Sequence, residues 1–482
     1  MGENFDFDDT SQIAIPKNLV DQIIGQDEAV KIAKMVARQR RHLLLVGPPG
    51  TGKSMLARAI SSMLSKADEE ISVMHNPAKP ERPFLEVRTR AEVEQKQKPK
   101  SKKEQKPVGL MLKPTDVPSF VSERLGYKCR YCSKFSNPDV SVCPSCNAEK
   151  FRESAGPFGD LLANLGDIER EDAVHTTRIL EGKEELVVFE RVDERTIRAL
   201  DQKELAMLNG GDSSLVRNVI VPLDRKLFVQ ATGASETELL GDVRHDPYGG
   251  HHQIGTPAFT RVVPGAVHEA HEGVLFVDEL ISLGNLQRNL LTAMQDKKFP
   301  ISGRNSSSTG SSVRVDSVPC DFILVSAVNM ADIQKIMVPL RSRISGNGYE
   351  VLLNSVMDDN AQNANKIAQF IAQEIVRDGR IPHASRESVE LILNHARKKA
   401  RIVDKKAGIS LRLRSLSGLI KSAGDWARAE DAKLIEPKHV KAALVSSKMA
   451  EEQMSQMYGS FFAASMSDTD LSSLNSADKD AR

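Results

Sequence analysis

GPPGTGKS, residues 47–54, is the stretch that decides the fold. It meets the G-x-x-x-x-G-K-[ST] phosphate-loop pattern in full, and its flanks agree with it. HLLLV (42–46) before it is an apolar run of strand length, and MLARAISSML (55–64) after it repeats apolar side chains at helical spacing. Gly47, Gly50 and Gly52 let the backbone curl until successive N–H groups face one centre, and the following helix adds its positive end. With Pro48, Pro49 and Thr51 completing the loop, this concavity suits a triphosphate. Lys53 would reach the β- and γ-phosphates as a mobile charge, and the Ser54 hydroxyl would ligate magnesium. ATP and magnesium are therefore expected, against a glycine-rich turn that binds nothing.

Upstream, residues 1–12 read as polar and unpaired. Ile24, Gly25 and Gln26 form a turn whose apolar side chain and open backbone could sandwich an adenine, or could simply end a helix. Downstream, residues 67–83 are rich in Pro, Asn and charge, and residues 90–106 have almost no apolar content, which reads as a solvated linker. Its lysines could attract nucleic acid or acidic protein, with a spacer as the plainer reading. Two C-x-x-C knuckles follow, Cys129/Cys132 and Cys143/Cys146, separated by ten residues. Four thiolates so spaced can sit at the corners of a tetrahedron around one zinc ion, whereas a redox pair would need only one knuckle. Lys128, Arg130, Tyr131, Lys134 and Phe135 around the first knuckle suit either nucleic-acid contact or the packing of a small ribbon.

Residues 185–192 read as a strand, 193–208 as a helix, 219–223 and 226–230 as strands, and 241–255 as a long surface loop. GVLFVDEL (273–280) is a buried-type strand ending in paired acids: Asp278 can hold magnesium through water and Glu279 can polarise an attacking water. HEAHE (268–272) before it has histidines three apart, not the four of a metalloprotease helix, and reads as a polar helix face. FILVSAVN (322–329) ends in Asn329, which could orient the lytic water or cap the strand end. Cys320 reads as a core filler. Helical patterns over 361–376, 385–400, 412–429 and 437–448 give a small bundle, and the serine-rich tail reads as disordered.

Taken together, IGQ, GPPGTGKS, FVDE, PLRSRISGNGYE (339–350), LRLRSLSGLIKSAGD (411–425), TGASETELLGDVRHDP (232–247) and VPCDFILVSAVN (318–329) resemble the AAA+ module of Lon proteases, above all archaeal B-type Lon. The resemblance runs from residue 12 to about 458, apart from roughly 100–155. It implies an α/β fold, an AAA+ P-loop NTPase core with a C-terminal helical lid, into which the four-cysteine zinc ribbon read from the spacing would be inserted. It also implies a hexameric ring with ATP between subunits. Arg343 resembles the arginine finger, with Arg341 as the alternative, and Arg414 the sensor-2 arginine of the lid. Phe259, in GTPAFTRVVPG (255–265), falls where Lon enzymes place the pore-loop aromatic that grips substrate, although an aromatic on such a loop could equally be buried. The expected organisation is core 1–90, polar linker 91–125, zinc ribbon 126–150, remaining insertion 151–215, core 216–355, lid 356–458 and tail 459–482.

Two departures shape the functional expectation. B-type members carry membrane-spanning helices between these motifs, where this chain has the cysteine ribbon. The Ser-Lys peptidase domain would begin near residue 460, where this chain turns serine-rich. The chain is thus expected to be an ATP-hydrolysing ring motor that remodels or unfolds protein without cutting peptide bonds itself. It would be a homo-hexamer, cytoplasmic and free of membrane, partnered by protein substrates. The alternatives are an ATPase subunit serving a separate protease or full-length Lon, and a zinc-ribbon, DNA-directed, helicase-like ATPase. Composition decides little between these, because 482 residues with 40% apolar content and a net charge of +1 carry no global affinity for nucleic acid or membrane.

Overall fold

The computed structural model describes residues 5–97, 109–150, 172–180, 183–201, 204, 217–244, 257–303 and 313–446. The chain forms two compact units, one of Met1–Met63, Val325–Ile336 and Arg341–Arg482, the other of Leu64–Leu324 and Met337–Leu340.

In the first unit the strand His42–Val46 runs parallel to Ile323–Val328 on one side and Gly348–Leu352 on the other. Leu43, Leu44, Leu45 and Val46 are all buried, as a central parallel strand covered on both faces requires. Gly348 stands so close to the central strand that an added Cβ would lie 2.0 Å from the His42 carbonyl oxygen. Helix Asp27–Gln39 buries Ala29, Ala33, Val36 and Ala37, a stripe at helical spacing, and ends where Arg40 turns left-handed. The lid helices Ala361–Asp378, Arg386–Val403, Leu413–Ala429 and Pro437–Ser446 enclose an aliphatic core that includes Ile367, Ile371, Ile392, Leu416 and Val440. Local chemistry sets their ends. The side chains of Asn360 and Ser385 accept the N–H groups of Asn363 and Ser388, and Gly379 at φ 68° stops the first helix.

The N-terminal stretch is not unpaired over the described residues. Phe5 is buried in the lid core, Asp9 forms a β-bridge with Ser385, and the Thr10 hydroxyl meets His383 Nδ1 at 3.0 Å and the Ala384 N–H at 3.0 Å. Two phenylalanines in an acidic segment were enough to pin it.

The second unit is richer in sheet than its sequence suggests. Glu69–Met74 pairs antiparallel with Phe84–Thr89 and Arg217–Val221, Arg90–Gln97 and Ser119–Arg124 are helices, and Val117, Val121 and Leu125 are buried, so the linker reading of 67–83, 90–97 and 109–125 is corrected, while 98–108 lie outside the described residues. Ile71 and Val73 alternate toward a core there, a period-2 signal hidden between polar neighbours. Leu110–Leu112, Ile197–Asp201, Lys183–Arg191 and Ala173–Leu180 form a four-stranded antiparallel sheet in that order. Within the helix expected over 193–208, residues 197–201 are instead a strand, where pairing with Val187–Arg191 overrides local propensity, and 202, 203 and 205–208 lie outside the described residues. Phe228–Gln230 runs parallel to Val274–Val277, and Lys298–Ser302 with Arg314–Pro319 makes a hairpin. The residues of the surface loop beyond 244, the hairpin tip at 304–312, the insertion at 151–171 and the tail from 447 lie outside the described residues.

The histidines of HEAHE are buried instead of lining a polar face. His268 accepts the Gly265 N–H at Nδ1 (3.2 Å), which leaves Nε2 to donate to the Phe299 carbonyl at 3.0 Å. His271 accepts the Asp321 N–H and reaches Glu69 Oε2 at 2.8 Å. Burial pulls the His268 pKa down to about 4 from 6.5. Between those values the unfolded chain holds a proton that the folded one refuses, so stability is present above about pH 6.5 and is lost as pH falls toward 4. Urea unfolding of the whole chain at pH 7 and pH 4.5 is expected to show a loss in wild type that His268→Gln reduces by roughly 2 kcal/mol.

Candidate nucleotide site and metal centre

The phosphate loop leaves the buried strand His42–Val46 and enters the helix Lys53–Ser62. Gly50 at φ 82° and Gly52 at φ 94° make the turn, and Gly52 caps the helix, whose first N–H groups have no intrahelical acceptor. A Cβ at Gly52 would meet no atom within 4 Å, so the loop is open on that side. The Lys53 ammonium, 9% exposed, donates to the carbonyls of Gly47 (2.8 Å) and Pro48 (3.0 Å). Thr51 Oγ1 also donates to Pro48 O, at 2.9 Å. This cradle of glycines, helix N–H groups and one cation fits a polyphosphate.

Four more expected residues, Ile24, Gly25, Asn329 and Arg414, belong to the same unit. The Gly47 N–H bonds the Val328 carbonyl at 3.2 Å, which brings Asn329, the next residue and only partly exposed, to the base of the loop. Arg414, exposed at the start of a lid helix, passes so close to Gly50 that a Cβ there would sit 2.7 Å from the arginine's own Cβ. Gly50 thus serves twice, for its positive φ and for the approach of the lid. Gln26, quoted in the turn but given no role from sequence, is buried: its amide nitrogen donates to Asn354 O (2.8 Å) and its oxygen accepts the Asn354 N–H (3.0 Å). Ile24 is buried in the lid core, and Gly25 at φ 68° faces Leu411, so this turn joins loop and lid.

The two arginines of the helix Val338–Asn347 are told apart by their partners. Arg341 holds Glu350 by a two-pronged pair at 3.1 and 2.6 Å within its own chain. Arg343 has a buried Nε with no hydrogen-bond partner among the described residues.

In the second unit, Asp278 and Glu279 follow the fully buried strand Val274–Val277. The Asp278 N–H is held by the Thr232 hydroxyl at 3.2 Å. Glu279 is exposed and sits in the left-handed region at φ 55°, a conformation costing about 1 kcal/mol for a residue with a Cβ. Phe259 is not presented to solvent. It is 1% exposed in a core with Ile71, Val262 and Ile301, its ring 5.9 Å from that of His75, so the pore-loop reading of this side chain is corrected in favour of burial.

The four cysteines converge. Their Sγ atoms all lie within 4.8 Å of one another, with Cys129 to Cys146 at 3.7 Å and Cys132 to Cys143 at 3.6 Å. A tetrahedron with Zn–S bonds of about 2.3 Å has edges of about 3.8 Å, so the set fits zinc and is far too wide for disulfides. The two knuckles are built alike. The Cys129 N–H bonds Lys134 O and the Cys143 N–H bonds Ala148 O, and the residues after the second cysteines, Ser133 and Asn147, both take φ 57°. The backbone N–H of Ser145 lowers the pKa of the Cys143 thiol, while the neighbouring cysteine thiols raise that of Cys146, so the first proton leaves the cluster from Cys143. Lys150 is the member sequence reasoning missed. It is 1% exposed, and its ammonium donates to Gly126 O, Ser136 Oγ and Asn137 O at 2.9, 3.0 and 2.6 Å. A single lysine after the last knuckle carries no sequence signal for this.

Two family models match parts of the chain. Residues 383–449 match the family described as Archaeal LonB, AAA+ ATPase LID domain, and residues 19–81 match Magnesium chelatase, subunit ChlI. A lon protease homolog of Thermoplasma acidophilum is 51% identical over 97% of this chain and 95% of its own length, and one of Thermoplasma volcanium 52% over 96% and 94%. The archaeal Lon protease of Thermococcus kodakarensis is 38% identical over 94% of this chain, which spans 63% of that protein. Among the described residues no helix is long and apolar enough to cross a membrane. With half its residues identical to the lon protease homologs over nearly their whole length, and with the lid of archaeal LonB at its C-terminal side, the chain belongs to the archaeal Lon family of AAA+ ATPases.

Proposed function

We propose that this chain is an ATP-hydrolysing ring motor of the Lon type that remodels or unfolds protein substrates. The observation that carries the proposal is the phosphate cradle, with Lys53 inside it, Asn329 at its base and lid residue Arg414 against Gly50. In this reading the loop N–H groups and Lys53 bind the β- and γ-phosphates, and Glu279 polarises the attacking water that Asn329 helps orient. Ser54 and Asp278 hold magnesium, which when bound neutralises charge on the β- and γ-oxygens. Arg414 senses the nucleotide from the lid. Arg343, with its unpartnered Nε, is assigned to the γ-phosphate of a neighbouring subunit, while Arg341 is committed to Glu350. The ring is a homo-hexamer in this proposal, and its work is done by lid movement during turnover. We assign a structural zinc ion to Cys129, Cys132, Cys143 and Cys146, because a ribbon with so small a core needs a metal to close it.

Lys53→Ala is expected to lower ATP hydrolysis by about 10²-fold or more through lost phosphate contact, and Glu279→Gln by about 10²–10⁴-fold with ATP still bound. Filter binding beside phosphate release separates the two, and an unimpaired Gln variant would remove Glu279 from the role. Metal analysis of the purified protein is expected to give one zinc per chain, absent from Cys129→Ser or Cys143→Ser, with ATP hydrolysis preserved in both. Casein is expected to stimulate ATP hydrolysis, read as phosphate release, and indifference to casein would refute protein remodelling.

A further inference from the structure

The insertion carries a cleft that the proposed ATPase chemistry does not use. It has a volume of about 610 Å³ and opens between the zinc-ribbon side chains Phe135 and Asn137 and the segments bearing Lys113 and Arg195. Its floor is rigid. The Tyr127 hydroxyl, on a ring 1% exposed, donates to the carbonyls of Asp193 and Thr196, and the Lys150 ammonium grips Ser136 and Asn137 from behind. Immediately before Lys113 comes the strand Leu110–Leu112, the outer member of the four-stranded sheet. Ile197–Asp201 pairs with one side of it, and among the described residues no strand pairs with the other. Alternate residues of such an edge aim their N–H and C=O groups outward, and Leu110 (62% exposed) and Met111 (46%) add apolar surface.

We propose that the Leu110–Leu112 edge and the adjoining cleft form a docking site for an extended polypeptide segment bearing large apolar side chains. Resting on the remodelling function proposed above, this makes the zinc ribbon a holder for an unfolded stretch of substrate. The peptide backbone adds to the sheet edge as a further strand, and a side chain one or two residues along drops against Phe135, which is 48% exposed. The volume lies within the range of about 300–1,000 Å³ typical of ligand sites. The mouth selects peptide over nucleic acid, because exposed Glu194 lines it with exposed Lys113 and Arg195, and exposed Asp116 is held next to Lys113 by its N–H on that residue's carbonyl. A phosphate backbone gains nothing from so mixed a rim, whereas a polypeptide of mixed charge does.

The test uses the whole zinc-loaded chain and a fluorescein-labelled, unstructured 15-residue peptide with Phe or Val at alternate positions, read by anisotropy. A control peptide replaces the apolar residues with Ser. The chain is expected to bind the first peptide at least tenfold more tightly than the second. The double variant Leu110→Asp/Met111→Glu and, separately, Phe135→Ala are each expected to weaken it at least fivefold, with zinc content and basal ATP hydrolysis unchanged. In casein-stimulated hydrolysis the same variants are expected to raise the casein concentration for half-stimulation and leave the basal rate alone. Unchanged peptide affinity in both variants, or a wild type that does not prefer the apolar peptide, overturns the docking site, as does loss of oligo-dT binding in place of peptide binding. Casein stimulation that persists identically in the variants sinks this site alone, whereas a wild type insensitive to casein sinks the remodelling function beneath it.

Discussion

A buried ammonium must find oxygen, and in this protein the Lys53 cation finds it in the carbonyls of its own loop. That contact holds the loop closed while its helix N–H groups remain directed at the same centre, so an arriving polyphosphate exchanges one set of oxygens for another and the loop need not refold. The surrounding elements are arranged about this exchange. Gly47 ties the loop to the strand that ends at Asn329, Gln26 ties the preceding turn to Asn354, and Arg414 packs on Gly50 with no room for even one methyl group between them. Any movement of the lid helix Leu413–Ala429 is therefore felt at the loop through direct contact.

The insertion solves a different problem. A ribbon of about 25 residues cannot bury enough apolar surface to stay folded by itself. Here Cys129 and Cys143 are buried by turns that also present the other two thiols, and Lys150 gathers three acceptors from the residues between the knuckles and just before them. Its hydrogen bonds offset the cost of burying a charge, and its reach from Gly126 to Asn137 holds the ribbon to the segment that leads into it. The side chains left outside, Tyr131 and Phe135 among them, are then free of structural duty.

The interior of the second unit accounts for the readings that changed. Phe259 and His75 pack together over Ile71 and Val73, residues that look isolated in a polar stretch until the sheet from Glu69 to Met74 lines them up. An aromatic on a loop between Pro257 and Gly265 could turn either way, and the presence of that apolar floor turned it inward. The same holds for His268 and His271, whose ring nitrogens are satisfied by backbone groups from Gly265, Phe299 and Asp321 and by the Glu69 carboxylate, none of which a local pattern announces.

The residues alone determined the phosphate loop, the strand ending in Asp278 and Glu279, the four helices of the lid and the zinc spacing of the cysteines. In each case the chemistry is local: φ-permissive glycines, periods of 3.6 and 2, and ligand spacings that one turn can satisfy. Only the tertiary structure told the surroundings of Arg341 and Arg343 apart, because the Arg341 pair needs Glu350 arriving from a neighbouring strand. It alone turned residues 197–201, inside an expected helix, into a strand, buried Phe259, anchored the N-terminal phenylalanines in the lid and found Lys150 its acceptors. These outcomes depend on partners distant in sequence, and a side chain's environment cannot be read before the chain has brought those partners to it.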